Sequence, residues 1–167
     1  DRKNVIDFLR ELEFTRIVPR IPEGALALGA TPAPLPRQNA TDLPSQDYHT
    51  VDTGDALKNM LAELHNAGGF AFDTETSSLD SMRADLVGIS FSTSEGKAWY
   101  VPVGHREGPQ LSMQLVLSEL KSLMEDPAVV KTGHNLNYDV AILANHGISV
   151  EGLDFDTMVA AHLLGKR

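Results

Sequence analysis

From Tyr48 onward, short apolar runs alternate with longer stretches of helical periodicity, which restricts this part of the chain to folds that combine a sheet with helices. Turn-like stretches separate the second, third and fourth apolar runs and indicate antiparallel hairpins. A helix, a strand and another helix follow, so the pattern predicts an α/β domain with a mixed sheet flanked by helices. The predicted strands cover residues 48–52, 70–73, 86–93, 98–103 and 129–132, and the predicted helices cover residues 54–66, 111–124, 135–146 and 156–164.

Two segments of different composition precede this domain, which we place at residues 48–167. Residues 1–14 carry apolar side chains at helical spacing and predict an amphipathic helix, which we interpret as the last helix of a preceding domain. Residues 15–47 hold six of the nine prolines and no aromatic residue. Such a segment cannot bury enough apolar surface to offset its ordering entropy, so it is predicted to be a linker.

The chain is acidic, with a net charge of −9 from 14 Lys and Arg against 23 Asp and Glu. Proteins that hold nucleic acid by phosphate neutralisation alone are usually basic. Any function on DNA must therefore come from a local, metal-assisted site, with a neighbouring domain binding the strand. The absence of cysteine excludes disulfides and thiolate metal sites and favours a reducing compartment, so we expect a cytoplasmic protein. No apolar run approaches the roughly 20 residues that span a bilayer, and we expect no membrane partner.

The sharpest local feature is an apolar strand that ends in two carboxylates, Asp73 and Glu75. Alternation along the strand places both side chains on one face, where each disfavours the ionised form of the other. A divalent cation such as Mg²⁺ or Mn²⁺ would relieve this repulsion, because both ions prefer hard oxygen ligands. A solvated strand end, whose charges simply face water, is the alternative explanation for an isolated Asp-x-Glu pair.

A second candidate is Asp139, which lies in the third predicted helix. Leu136, Val140 and Leu143 define the apolar face of that helix, and Asp139 is predicted on its rim. An unpaired carboxylate there costs free energy, so Asp139 needs a partner or a metal. The alternative is that Asn135 caps the helix and Asp139 bonds a nearby backbone amide.

Other kinds of chemistry have little support in the pattern. The six histidines show no spacing typical of a zinc site. No G-x-S-x-G elbow, phosphate-binding G-x-x-x-x-G-K-[ST] loop or dinucleotide G-x-G-x-x-G motif occurs. Trp99 and Tyr100 lie in a strand-like run, and we interpret them as core residues.

Taken together, five segments resemble the 3′→5′ proofreading exonuclease domain of the bacterial DNA polymerase I family, over most of residues 70–164. The combination of D-T-E-T-x-S-L-D with N-L-x-Y-D at this separation is the specific part of the resemblance. The opening FLRELEF also resembles the end of the 5′-nuclease domain that precedes the linker in these polymerases. The segments are FAFDTETSSLD (70–80), LVGISFS (86–92), YVPVGH (100–105), KTGHNLNYDVAILANHGI (131–148) and FDTMVAAHLL (155–164).

The resemblance implies a ribonuclease H-like fold of the DEDD exonuclease type, and hydrolysis of the last phosphodiester at a single-stranded DNA 3′ end. It implies two divalent cations, Mg or Mn, about 4 Å apart. Asp73 would bridge both ions, Glu75 would bind one and orient the attacking water, and Asp139 would hold the second, which makes these three the implied catalytic residues. The polymerase and 5′-nuclease domains of the same chain are the implied partners. Substrate contacts are implied for Thr76, Leu79, Asn135 and Tyr138.

The resemblance also implies a fourth carboxylate, in a Tyr-x-x-x-Asp motif on a later helix. We assign no such motif to any of the three tyrosines, and the chain ends at Arg167, within what we interpret as the preceding helix. We therefore expect a fragment truncated at its C-terminus, which binds divalent metal weakly and hydrolyses DNA poorly or not at all. His134 occupies a position that is often glutamine in relatives, and we expect this change to be tolerated.

Two other functions fit the same residues. An exoribonuclease similar to ribonuclease D would use the same carboxylates on RNA, and the linker and the nuclease-like first helix argue against it. A catalytically silent structural module of a polymerase is the other alternative. The presence of Asp73, Glu75 and Asp139 argues against silence.

Overall fold

A computed structural model of the chain describes residues 46–165. The helix predicted over residues 1–14 lies outside the described residues, as does the predicted linker up to residue 45, and both stay predictions. Within the described part, no helix has the length and apolar character needed to cross a lipid bilayer.

The described residues form one mixed sheet of six strands together with four helices. The strands are β1 (Asp47–Thr50), β2 (Gly69–Thr76), β3 (Leu86–Ser94), β4 (Lys97–Pro102), β5 (Val130–Gly133) and β6 (Leu153–Asp156). The helices are α1 (Gly54–Ala67), α2 (Met113–Met124), α3 (Leu136–Asn145) and α4 (Thr157–Leu163).

The strands lie in the order β1-β4-β3-β2-β5-β6. The three central strands β2, β3 and β4 form an antiparallel meander, which confirms the predicted hairpins. β1 pairs in parallel with β4, and β5 and β6 extend the other side in parallel with β2. The predicted α/β class with a mixed sheet is confirmed, whereas β6 is a strand that the sequence pattern did not predict.

Helix α1 illustrates how the local sequence defines its element. Thr53 caps its first turn by accepting a hydrogen bond from the Ala56 backbone N–H at 3.3 Å, and Gly68 ends it in the left-handed conformation at φ 69°. Leu57 and Leu64 are buried on one face of the helix and contribute to the core. α1 contacts both α2 and β2, so the core lies between these helices and the sheet.

Strand β2 presents its two faces differently. Phe70, Phe72 and Thr74 are buried, whereas Asp73 and Glu75 between and after them are exposed. This alternation is the two-residue period of a strand with one face on the core. The strand thereby brings both carboxylates to the same solvent-facing surface.

The turn between β5 and α3 is tight. A Cβ atom at Gly133 would lie 2.9 Å from the Phe72 carbonyl oxygen, so a larger residue does not fit there. Asn135 follows with φ 61°, the one positive φ of a non-glycine residue in the described part of the chain. The alternative in which Asn135 caps α3 holds for its position, because Asn135 is the N-cap residue, but its side chain makes no capping hydrogen bond.

Asp156, at the end of β6, provides the missing cap. Its carboxylate accepts hydrogen bonds from the backbone N–H groups of Asn135 at 3.0 Å and Leu136 at 2.8 Å. The same carboxylate accepts from the N–H groups of Met158 at 2.8 Å and Val159 at 3.3 Å, which caps α4. Desolvation acts to raise the pKa of Asp156, but these four backbone hydrogen bonds outweigh it and lower that pKa below its ordinary 3.8.

We expect the substitution Asp156→Asn to lower the melting temperature by several degrees, because an amide nitrogen in place of Oδ2 cannot accept the hydrogen bond from the Leu136 N–H. A carboxylate with a depressed pKa stabilises the fold above its unfolded pKa and loses that contribution as pH falls through its folded pKa. The difference between wild type and variant should therefore be largest near neutral pH and disappear in acid. Thermal melts monitored by circular dichroism from pH 7 to pH 3 measure this, and a constant difference across that range would contradict it.

Candidate active site

The exposed end of β2 carries the first two candidate residues. Asp73 lies directly opposite Ser90 of β3, and Glu75 lies directly opposite Gly88. The pairing register shifts immediately after Glu75, as in a β-bulge, and such irregularities redirect side chains near functional sites. The two carboxylates therefore share one face, as the sequence predicts.

The charge environment of Asp73 disfavours its ionised form. Desolvation, then the charges of Asp139 and Glu75, raises the pKa of Asp73 above its ordinary 3.8, while His134 lowers it. Two further carboxylates thus act on the same group. Negative charge concentrated in this way is what a bound cation would neutralise.

Asp139 lies much deeper than predicted. It is only 2% exposed, instead of lying on the rim of the α3 surface. Its Oδ1 atom accepts hydrogen bonds from the Thr74 backbone N–H at 2.8 Å and from Thr74 Oγ1 at 2.6 Å. The alternative, in which Asp139 bonds a backbone amide, is confirmed, but the amide belongs to β2, 65 residues earlier in the chain. Asp139 consequently joins α3 to the strand that carries the exposed carboxylates.

The side chains at the end of β2 form a pocket next to the carboxylates. The Tyr138 hydroxyl lies 2.6 Å from Thr76 Oγ1 and donates a hydrogen bond to the Ser78 carbonyl oxygen. Leu79 beside them is 97% exposed. An open pocket of about 380 Å³ lies here, with Glu75, Thr76, Leu79 and Tyr138 among its lining residues. A groove of similar volume between α1 and α2 includes none of the predicted site residues.

The donor chemistry of this surface suits a hard cation. Mg²⁺ is commonly held by only one or two carboxylates, with water and substrate phosphate completing its shell. Asp73 and Glu75 offer such a pair, next to the charge of Asp139. Within residues 46–165, no three His, Asp or Glu side chains are close enough to enclose one ion by themselves. The pair therefore fits a cation that retains part of its water shell.

Two residues near the carboxylates were not predicted as site residues. His134 acts electrostatically on Asp73, and its Nδ1 lies 2.8 Å from the Thr157 hydroxyl. Tyr100 is only half-buried, so its interpretation as a core residue is wrong, whereas Trp99 is buried as predicted. Desolvation, and after it the charge of Glu75, raises the pKa of the Tyr100 hydroxyl above its ordinary 10.0. Asn135 lies in the β5–α3 turn beside His134.

The expectation that none of the three tyrosines belongs to a Tyr-x-x-x-Asp motif was wrong. Tyr48 and Asp52 do form a Tyr-x-x-x-Asp sequence. Tyr48 is 63% exposed on β1, and β4 and β3 lie between that edge strand and β2. This pair therefore does not contribute a carboxylate to the site, and no Tyr-x-x-x-Asp follows Asp139 in the sequence.

A mixed sheet flanked by helices, with a carboxylate pair at the end of an inner strand, places the protein in the ribonuclease H-like class. The sequence model of the 3′–5′ exonuclease domain of A-type DNA polymerases matches residues 48–167, and the chain belongs to this family.

Curated relatives agree with this assignment. DNA polymerase I of Chloroflexus aurantiacus is 35% identical over 190 residues, which covers 100% of this chain and 20% of the relative. DNA polymerase I of Pseudomonas aeruginosa is 36% identical over 171 residues, which covers 98% of this chain and 18% of the relative. The chain thus spans about a fifth of the length of these polymerases.

Solved structures with the same fold are more distant in sequence. Trypanosoma brucei RNase D in complex with RNA U12 has a TM-score of 0.55 at 21% identity, and the match covers 65% of this chain and 37% of that one. Brucella melitensis NrnC with bound Mg²⁺ has a TM-score of 0.51 at 23% identity, with coverage of 72% and 53%. These two structures support the fold, whereas the family is assigned by the polymerase sequences.

Proposed function

We propose that the chain removes nucleotides from the 3′ end of single-stranded DNA by hydrolysing the terminal phosphodiester bond and releasing a deoxynucleoside monophosphate. The observation that carries this proposal is the concentration of Asp73, Glu75 and Asp139 at one end of β2. Membership of the 3′–5′ exonuclease family supports the direction of degradation.

Two divalent cations, Mg or Mn, would when bound stabilise the charge that develops on the attacking and leaving oxygens. Asp73 and Glu75 are the exposed residues that would hold them. One oxygen of Asp139 accepts hydrogen bonds from Thr74. Asp139 would therefore contribute to cation binding through its other oxygen and through its negative charge. With these carboxylates and no Tyr-x-x-x-Asp after Asp139, we expect hydrolysis by this chain to be slow.

The pocket beside the carboxylates has the features needed to hold a terminal nucleotide. Tyr138 is fixed through Thr76 and Ser78, so its ring forms a rigid wall. The side chain of Leu79 is free to contact a base, because it packs against almost nothing in the folded chain. Stacking and apolar contact are tolerant of base identity, which suits an enzyme that must accept any 3′-terminal base.

The test is degradation of a 5′-labelled single-stranded DNA oligonucleotide by excess protein in the presence of Mn²⁺. We expect slow shortening from the 3′ end in single-nucleotide steps, and slower shortening of an RNA oligonucleotide of the same sequence. Preference for RNA would contradict the proposal and favour the ribonuclease D-like alternative. If the chain neither cleaves the oligonucleotides nor binds Mn²⁺, a silent structural module is favoured.

The partners that we propose follow from the length of the relatives. Because the chain spans about a fifth of a DNA polymerase I, we propose that it works beside polymerase and 5′-nuclease domains of the same chain. The cytoplasmic location that we propose is based on the cysteine-free sequence. Those domains would provide most of the contacts to the DNA phosphates, because the net charge of −9 disfavours binding of the strand by this chain's overall charge.

A further inference from the structure

The Tyr100 hydroxyl lies over Gly88, the residue opposite Glu75. A Cβ atom built on Gly88 would be only 2.1 Å from the Tyr100 hydroxyl oxygen, so this oxygen occupies the space that a side chain at position 88 would fill. Gly88 is the residue directly opposite Glu75 in the antiparallel β2–β3 pair. Directly opposed Cβ atoms lie on the same face, roughly 5 Å apart. The hydroxyl is therefore within reach of the Glu75 carboxylate.

A second side chain fixes the orientation of Tyr100. Its hydroxyl oxygen lies 2.7 Å from His105 Nε2, and the two rings meet edge to face with centroids 5.6 Å apart. Gln110 in turn holds the His105 backbone at both ends: its Oε1 accepts from the His105 N–H at 3.0 Å, and its Nε2 donates to the His105 carbonyl at 2.9 Å. The loop that follows β4 is thus anchored so that His105 faces Tyr100.

The hydroxyl has a proton to donate. A tyrosine side chain has an ordinary pKa of about 10, so Tyr100 is protonated at neutral pH. When His105 carries its proton on Nε2, the hydroxyl accepts from His105 and its own proton points away from that ring. That proton is then available to a carboxylate within reach, and hydrogen bonds to an ionised acceptor are among the stronger ones.

We propose that Tyr100, oriented by His105, is a positioning residue that holds the Glu75 carboxylate in the orientation required for divalent-metal binding. The inference rests on the proposed function, because it assigns Glu75 to that metal. It also explains why position 88 is glycine: any side chain there would displace the Tyr100 hydroxyl.

The test is Mn²⁺ affinity of the 167-residue chain, measured by the electron paramagnetic resonance signal of free Mn²⁺ during titration. Residues that orient metal ligands typically contribute 10–100-fold in affinity, so we expect Tyr100→Phe to weaken binding by about tenfold. His105→Gln should weaken it by a smaller factor and provides a second variant should the first not fold. Tyr48→Phe is the matched control, because it removes a hydroxyl from an exposed tyrosine on the far edge strand, and its affinity should equal that of wild type.

A double-mutant cycle separates action through Glu75 from a general structural effect. In a Glu75→Gln background, Tyr100→Phe should cause no further loss of affinity, since the carboxylate it positions is gone. An equal loss in both backgrounds would overturn the inference, as would an affinity of Tyr100→Phe equal to that of wild type. If either result overturns the inference while wild type binds Mn²⁺ and Asp73→Asn does not, the proposed function still stands. Failure of wild type itself to bind Mn²⁺ would overturn the proposed function and the inference together.

Discussion

The substitution Asp73→Asn is expected to eliminate Mn²⁺ binding and 3′-end hydrolysis while making the metal-free chain more stable. Removing a residue that merely orients a metal ligand costs up to about 100-fold, so removing the ligand itself should cost more than that. The gain in stability follows from the Asp73 pKa, which desolvation and the charges of Asp139 and Glu75 raise. Mn²⁺ titration, oligonucleotide degradation and thermal melts in a chelator measure the three effects.

The pH dependence of that stability gain has a definite sign. A carboxyl group whose folded pKa is raised destabilises the folded chain above that pKa, and the destabilisation disappears as pH falls towards the unfolded value of 3.8. The melting temperatures of wild type and Asp73→Asn should therefore differ at neutral pH and converge in acid. Asp154→Asn, which removes an exposed carboxylate from β6, is the control and should leave metal binding unchanged. Equal stability of wild type and Asp73→Asn at pH 7 would contradict this, because it would show that neither desolvation nor the neighbouring carboxylates disfavour the ionised form of Asp73.

The second large effect is expected at Asp139, where structure and chemistry can be separated by two substitutions. Asp139→Ala leaves the buried Thr74 N–H and hydroxyl without an acceptor. Each unsatisfied buried donor costs about 1–3 kcal/mol, so we expect a loss of about 2–5 kcal/mol in the free energy of unfolding. Chemical denaturation measures this directly.

Asp139→Asn retains an oxygen that can accept both hydrogen bonds from Thr74, so most of the stability should remain. It removes the negative charge beside Asp73, and Mn²⁺ affinity should fall even though the fold is preserved. If the asparagine variant binds Mn²⁺ as tightly as wild type, Asp139 serves only to join α3 to β2. If the alanine variant is as stable as wild type, the two hydrogen bonds do not carry the packing role assigned to them.

The parts of the fold that could be predicted are those defined by local periodicity. The buried Phe70 and Phe72 alternate with the positions that face the other way, and this period placed Asp73 and Glu75 on one exposed surface. Turn signals between the apolar runs were sufficient for the antiparallel meander of β2, β3 and β4. Strand β6 was missed because Leu153–Asp156 is four residues long and mostly exposed, so it carries no apolar run of its own.

The parts that could not be predicted depend on residues far apart in the sequence. Asp139 looked like a rim residue because its acceptor role is defined by Thr74, which only the fold brings to it. Asn135 looked like a helix cap because it directly precedes the helix in the sequence. The side chain that does cap α3 belongs to Asp156, 21 residues later in the chain, and no local pattern indicates it. Tyr100 looked like a core residue because its position over Gly88 is a consequence of strand register, and no local pattern encodes it.

Anomalous difference density in a crystal of this chain soaked in Mn²⁺ would show whether β2 carries a metal site. We expect a peak on the exposed face of β2, with oxygens of Asp73 and Glu75 about 2.1 Å from the ion. Peaks only at other surface carboxylates, or a β2 surface without density at saturating Mn²⁺, would contradict the claim that these residues form a metal-dependent nuclease site.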